Sequence, residues 1–490
     1  MVTRTSTEPP ASDSDSGTGH GPPSGPEGST DVLGGGGRPD APARPAAGPA
    51  AATAGAGHGG GAAAGAGHGG GAAAALEPMI TAMVGSDVPV RFEFWDGSAI
   101  GPSDAVGTLQ IRSPDALRRI LWSPGELGIA RAFVAGDITV DGDIYTLLRV
   151  LHDATPAELR TVRLRTIPSM IGVAARLGAL GLPLPAPPEE CRPAGRLHSP
   201  ARDAAVISHH YDVGNDFYRL VLGPSMTYSC ARFVGPDSTL EEAQAAKYEL
   251  ICRKLGMDRS PGMRLLDVGC GWGSMAIHAA RTHQATVVGV ALSREQVDEA
   301  RRRVSEAGLD DRVEIRLQDY RDLRGEQFDA ISSIGMFEHV GASRMSRYFE
   351  TLHDLLAPRG RLLNHAISTP GGSVLGRRSF VGRYVFPDGE LVDVAVVIRA
   401  MQESGFEVRD VESLREHYSR TLHCWVANLE QHWEEAVRLV GLPRANIWKL
   451  YMAASANGFD DGGLAVHQVL GVVPERDGTS GMPPTRSGWG

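Results

Sequence analysis

Two stretches carry residue types able to do chemistry. In MRLLDVGCGWGS an apolar run ends in Asp267, Gly269, Gly271 and Gly273, a D-x-G-x-G-x-G turn. In SSIGMFEHVG, residues 332–341, a second apolar run meets a glycine and then sets Glu338 beside His339. Glycines so spaced let backbone approach a ligand closely, because a Cβ would occupy the space. The spacing differs from the G-x-G-x-x-G that seats a pyrophosphate on a helix N-terminus. A carboxylate at a strand end can orient a small reacting group, or simply cap the helix that follows.

The elements that must position these residues are legible as alternation. MRLLDVG, ATVVGVALS, VEIRLQDYRDL, QFDAISSIG and GRLLNHAIS read as short apolar strands separated by helical patterns. Ser293 and Gln296 form an S-x-x-Q box that marks a helix start. Such alternation implies a doubly wound parallel sheet with its ligand crevice at the carboxyl ends of the strands. The glycine turn sits between the first strand and its helix, and ALSREQ and QDYRD follow the next two strands, suited to line a ribose and an adenine. Together they point to S-adenosylmethionine, with a dinucleotide or a merely structural turn as alternatives.

The rest of the chain divides by composition. Residues 1–75 hold 20 Gly, 18 Ala and 9 Pro without one Phe, Trp or Tyr, too little apolar surface to offset the entropy of ordering. A disordered tail is expected over 1–78. Within it AGAGHGGGAA occurs twice, bringing His58 and His68, and reads as flexible low-complexity chain. Residues 79–182 read as a small α/β domain. Its end, TVRLRTIPSMIGVAARLGALGL with Arg163, Arg165 and Arg176, suits either an interfacial amphipathic helix or one buried against a neighbour. PLPAPPEECRPAG suggests a linker over 183–199, the large domain follows over 200–473, and residues 474–490 are expected to be a flexible tail.

Net charge is −10, which argues against a nucleic-acid partner. No apolar run is long enough to span a membrane, and MVTRTSTEPP lacks the apolar core of a signal peptide. The five cysteines (191, 230, 252, 270 and 424) form no C-x-x-C pair. They suggest reduced thiols in a cytoplasmic protein, neither a disulfide scaffold nor a zinc site, and no metal is expected.

At this point several motifs accumulate in order: SHHYDVGNDFYRLVLGPSMTYSCARF, LLDVGCGWGS, LQDYRDL, SIGMFEHVG, LLNHAIS and YVFPDGEL. Over residues 200–472 the sequence resembles the cyclopropane fatty acid synthase family of S-adenosylmethionine-dependent lipid methyltransferases, and GELGIARAFVAGD resembles that family's smaller N-terminal domain. The resemblance implies a class I methyltransferase fold: a Rossmann-like doubly wound α/β sheet with a helical cap. It implies that Tyr228, Ser229, Gly269, Gly271, Gln296, Asp319 and Tyr320 bind S-adenosylmethionine, joined by Asp267 and Gly273 of the glycine turn and by Ser333 at the strand end. It also implies a bicarbonate ion held by Cys230 through its backbone, Glu338, His365, Ile367 and Tyr418. One departure stands out: where class I methyltransferases often place an acid after the second strand, this chain reads GVALS, with Ala291 and Ser293.

The implied chemistry makes sense of these residue types. A cis-alkene has no proton to remove beforehand, so catalysis must come from holding it in line with the sulfonium methyl. The resulting carbocation needs an apolar, dry pocket, for which Phe217, Tyr228, Phe337 and Trp425 are candidate walls or plain core residues. A proton must then leave the added methyl, and Glu338 would orient the bicarbonate that takes it. His339 is expected to point away, and the Cys230 thiol is not expected to act as a nucleophile. The reading is a cytoplasmic enzyme, peripheral on the inner membrane face, that converts phospholipid acyl double bonds to cyclopropanes. A methylene-branched product finished by a separate reductase and a small-molecule methyltransferase are the alternatives; a homodimer is allowed. SVLGRRSFVGRYVF, residues 373–386, is expected to lie either at the headgroup boundary or packed over the site.

Overall fold

The computed structural model describes residues 71–85, 89–154, 167–191, 202, 213–374 and 379–489, all within one unit spanning Gly67–Gly490. The tail with His58 and His68, together with Arg163, Arg165, Leu375, Arg377 and Arg378, lies outside the described residues.

Helix α1 (Ala72–Val84) begins inside the stretch expected to be tail. Its first N–H groups find acceptors in the later turn WDGS: Ala72 donates to the Asp96 carboxylate at 2.6 Å and Ala73 to the Ser98 hydroxyl at 2.9 Å. Buried Leu76 fixes its inner face. Then come β1 (Val90–Phe94), β2 (Ala99–Ile100), β3 (Gly107–Ile111), α2 (Asp115–Trp122), α3 (Glu126–Val134), β4 (Ile138–Gly142), α4 (Ile144–Ala154) and α5 (Ile167–Arg176). The four strands form a sheet of order β2-β1-β3-β4. The described part of the expected linker is tied down: buried Glu190 pairs with Arg131 at 2.7 Å, and Cys191 donates its N–H to the Arg383 carbonyl.

The larger sheet follows from α6 (Asn215–Leu222) and α7 (Leu240–Leu255) through β5 (Arg264–Val268), α8 (Ser274–His283), β6 (Thr286–Ala291), α9 (Arg294–Glu306), β7 (Val313–Leu317), β8 (Phe328–Ile334), α10 (Met345–Asp354) and β9 (Leu356–Ser368). A cap hairpin, β10 (Ser373–Val374) and β11 (Glu390–Leu391), encloses α11 (Phe380–Tyr384). Then come α12 (Val394–Glu403), β12 (Glu407–Ser413), α13 (Arg415–Gln431), α14 (Trp433–Asp460, broken at Gly441) and β13 (Ala465–Val472). Strand order is β12-β13-β9-β8-β5-β6-β7, with β7, β6, β5, β8 and β9 parallel and β13 antiparallel to both its neighbours, β9 and β12. The order reverses between β5 and β8, which opens a crevice at their carboxyl ends. RLLDV and TVVGVA are buried after their first residues and mostly apolar, because helices cover both faces of the parallel strands.

One expectation changes here, and the cap takes the second of its two expected placements. Residues 474–489 are docked rather than loose: Trp489 is buried in the core beneath α7 and α8, and Arg486 pairs with the buried Asp410 at 2.8 Å. In the cap, Phe380 and Tyr384 are buried, and Phe386 packs on Tyr451 and His339, so these rings face inward rather than toward a headgroup layer. Among the described residues no helix is long and apolar enough to cross a membrane.

Candidate active site

A cavity of about 170 Å³ opens at the carboxyl ends of the parallel strands. Gly269 and Gly271 after β5, Ala291 and Leu292 after β6, Asp319 and Tyr320 after β7, and Gly335 and Met336 after β8 line it, while Tyr228 and Ser229 close it from the loop between α6 and α7. The three turn glycines all have positive φ but separate roles. A Cβ on Gly269 would strike the Met336 side chain at 2.9 Å, and one on Gly273 would press on Ala300 at 3.3 Å, so both serve packing. A Cβ on Gly271 would meet only the Gln296 amide, at 3.9 Å, and would otherwise project into open space. Gly271 therefore presents backbone to a ligand, whereas Gly273 does not line the cavity.

Gln296 completes only half of its capping box: its N–H donates to Ser293 Oγ, while its side chain lines the cavity. Asp267 is buried, with Oδ1 accepting from Ser332 Oγ at 2.7 Å. Burial pushes its pKa up to about 6, opposed by that hydrogen bond and by Lys247. Asp319 is held by the Arg321 guanidinium, at 2.6 Å to Oδ2. Ser333, expected at the cofactor, instead accepts from the Tyr348 hydroxyl at 2.7 Å and does not line the cavity.

A second, smaller cavity of about 60 Å³ is lined by Glu338, Ile367, Tyr418, Tyr451 and Phe386. It shares three walls with the first: Tyr228, Gly335 and His339. His339, expected to point away, thus stands at the junction, and burial pushes its pKa down to about 4, leaving a neutral ring. Glu338 Oε1 accepts the Ile367 N–H at 2.7 Å; Oε2 is out of solvent and has no hydrogen-bond partner among the described residues. Burial pushes this carboxyl up to about 7, so near neutrality its protonated form is accessible.

Of the expected bicarbonate residues Glu338, Ile367 and Tyr418 line this smaller cavity, whereas His365 and Cys230 do not. The Ile367 N–H is taken by Glu338. His365 lines neither cavity: its Nδ1 meets Gln468 Nε2 at 3.2 Å, and burial first, then Lys247 and Lys254, keeps it neutral. Cys230 also lies outside both linings; its thiol donates to the Ala231 and Leu414 carbonyls, and burial raises its pKa, so it is an inert thiol. Of the four candidate aromatic walls only Tyr228 lines a cavity, while Phe217, Phe337 and Trp425 are core.

Sequence reasoning missed Tyr451, on the cap helix α14, and Lys247. Lys247 is fully buried, donates to Ser229 Oγ at 2.9 Å and sits 4.0 Å from the Tyr248 ring centre. Burial pushes its pKa down to about 7, with Cys230 and Asp267 acting in the opposite sense. Nothing in AQAAKYEL marks that lysine as internal.

Residues 198–469 match the family described as mycolic acid cyclopropane synthetase. The chain belongs to that family. A probable fatty acid methyltransferase of Mycobacterium tuberculosis is 43% identical over 407 residues, covering 81% of this chain and 93% of the relative. The cyclopropane-fatty-acyl-phospholipid synthase of Escherichia coli is 33% identical over 374 residues, covering 76% of this chain and 90% of its own. A crystal structure of a mycolic acid cyclopropane synthase complexed with S-adenosylhomocysteine and CTAB superposes with a TM-score of 0.52 at 34% identity, covering 55% of this chain and 98% of that one. This member of the cyclopropane synthetase family is thus an S-adenosylmethionine-dependent methyltransferase.

Proposed function

We propose that this enzyme transfers a one-carbon unit from S-adenosylmethionine to the double bond of an unsaturated phospholipid acyl chain and closes it to a cyclopropane. The observation that carries this reading is the wall of Tyr228, Gly335 and His339 between the two cavities, with the buried Glu338 carboxyl beyond it. The alkene attacks the sulfonium methyl, so that a C–C bond forms as the S–CH3 bond breaks. The cation left on the chain loses a proton from the added methyl, and the ring closes. The Tyr228 ring and the neutral His339 ring can border that cation without a competing nucleophilic anion.

Bicarbonate, when bound, supplies a small base for the departing proton. The smaller cavity fits such an anion on one condition: a second negative charge beside Glu338 is tolerable only if a proton is shared. Protonated Oε2, fixed in place because Oε1 is held by Ile367, supplies that donor, and Tyr418 and Tyr451 line the same space. His365 and the Ile367 N–H support Glu338 and the strand behind it rather than the ion.

For access to lipid we propose a face of the smaller domain, from the cytoplasmic side of a membrane. Trp122, Leu180 and Leu182 are 53%, 49% and 80% exposed, and the Trp122 indole donates to the Gly181 carbonyl, which gathers them. Arg118 and Arg119 hold the same loop through the Leu182 and Pro185 carbonyls. Exposed Trp and Leu beside arginines suit a headgroup boundary.

A second reading has a specific support. The relatives at 43% and 39% identity are both named probable fatty acid methyltransferases, whereas the Escherichia coli cyclopropane synthase is at 33%. In that reading a hydride shift precedes proton loss and leaves an exocyclic methylene, which a separate reductase would saturate. Lipids from cells expressing the chain and fed methyl-deuterated methionine decide between them. Upfield cyclopropane resonances support the first reading, vinylidene or methyl-branch signals the second, and unlabelled lipid would overturn both.

A further inference from the structure

Away from both cavities, α7 and α8 bring together four side chains that the methyltransferase chemistry leaves unused. Glu249 and Cys252 lie on α7; His278 lies on α8 and His283 is its last residue. One ligand atom each of Cys252, His278 and His283 lies within 4.8 Å of the others. Glu249 Oε2 stands 3.0 Å from His283 Nε2 and 3.5 Å from His278 Nε2. Cys252 is fully buried and His283 is 8% exposed, while His278 Nε2 is out of solvent with the Glu249 carboxylate, 3.5 Å away, as its neighbour. None of the four lines either cavity.

We infer that these residues form a binding site for a divalent transition metal of the zinc class. Three donors, one sulfur and two imidazole nitrogens, lie together, and the Glu249 carboxylate beside both histidines is placed to move in as the fourth, which would complete a tetrahedral ion of intermediate softness as in structural sites. Metal–sulfur and metal–nitrogen bonds of about 2.3 and 2.1 Å require the donors to draw about an ångström closer than their present limit. Side-chain rotation of that size suffices, because each donor is at the end of its side chain. Glu249 Oε1 already accepts from Arg253 Nε at 2.8 Å, which orients the carboxylate so that Oε2 faces the histidines. Burial raises the Cys252 thiol pKa, so the empty site holds a thiol. On binding, the Sγ–H bond breaks, the proton passes to solvent and an Sγ–metal bond forms.

The site would clamp α7 to α8 behind the cofactor cavity, whose lining includes Tyr248 and Met275 from the same two helices. The test uses the full chain, dialysed against chelator and titrated with cobalt(II). The expected result is one equivalent bound, with the intense visible bands of a tetrahedral ion, a thiolate charge-transfer band in the near ultraviolet, and displacement by zinc. Cys252→Ser should remove the charge-transfer band. Glu249→Gln, at a partly exposed position and therefore the safer variant for folding, should keep that band but weaken binding about tenfold or more. Weak bands of a six-coordinate ion, a charge-transfer band that survives Cys252→Ser, or undiminished affinity in Glu249→Gln would each overturn the assignment.

Discussion

Glu338, in the turn after β8, accepts the backbone N–H of Ile367 on β9 at 2.7 Å. This bond ties neighbouring strand ends together and leaves the other carboxylate oxygen facing no partner among the described residues. One oxygen is structural; the other is available to chemistry.

Glu338→Gln retains an acceptor for Ile367 but can no longer exchange a proton. Turnover should fall at least tenfold, roughly, while the dissociation constant for S-adenosylmethionine stays within about twofold, the pattern of an interaction that matters in the transition state. Steady-state kinetics beside calorimetry read both quantities. Unchanged turnover would remove Glu338 from the mechanism.

The bicarbonate requirement should depend on pH in a defined sense. The Glu338 pKa is raised to about 7, so the protonated carboxyl that can share a hydrogen with an anion is lost as pH rises through 7. At fixed bicarbonate ion concentration, the amount needed for half-activation should therefore increase between pH 6 and 8, roughly tenfold per unit above the pKa. In Glu338→Gln that slope should vanish. A flat profile in the parent enzyme contradicts the shared proton.

Gly271→Asp places a side chain into the space that the protein leaves open, at a backbone φ of +53°. Binding of S-adenosylmethionine should be abolished in calorimetry, since both bulk and strain oppose it. Gly271→Ala, without the charge, should retain weakened binding. Parent-like affinity in the aspartate variant would displace the cofactor from this turn.

Trp122→Ser with Leu182→Ser should reduce sedimentation with phosphatidylglycerol vesicles severalfold, while turnover on a detergent-dispersed substrate persists. Added salt should weaken the parent's binding only in part, because the contact is mainly apolar. Equal sedimentation of parent and variant would remove this face as the lipid contact.

Much of this enzyme was determined locally and could be read along the chain. Strand alternation, the glycine turn and the Ser293 cap depend on residues a few positions apart, so the doubly wound sheet and the general place of its crevice follow from sequence periodicity alone. The pairing of a carboxylate with the end of the fourth strand was legible for the same reason. The antiparallel pairing of β12 with β13 and of β13 with β9, and the docking of 474–489 under α7 and α8, were not legible, because they depend on partners far away in sequence.

Within the site the division is sharper. Sequence spacing treats Gly269, Gly271 and Gly273 as equals; only packing shows that Met336 and Ala300 claim the first and third, leaving Gly271 to the ligand. The family resemblance likewise ranks Ile367 and His365 with Glu338, whereas strand register spends the Ile367 N–H on Glu338 and turns His365 to Gln468. His339 and Tyr451 enter the site because the cap folds over the strand ends. Cys252, His278 and His283 meet only because α7 packs on α8. Local order follows from backbone preference and hydrophobic period, which neighbours in sequence decide. Which polar atom is left without a partner is decided by every element packed around it, and that belongs to the tertiary structure.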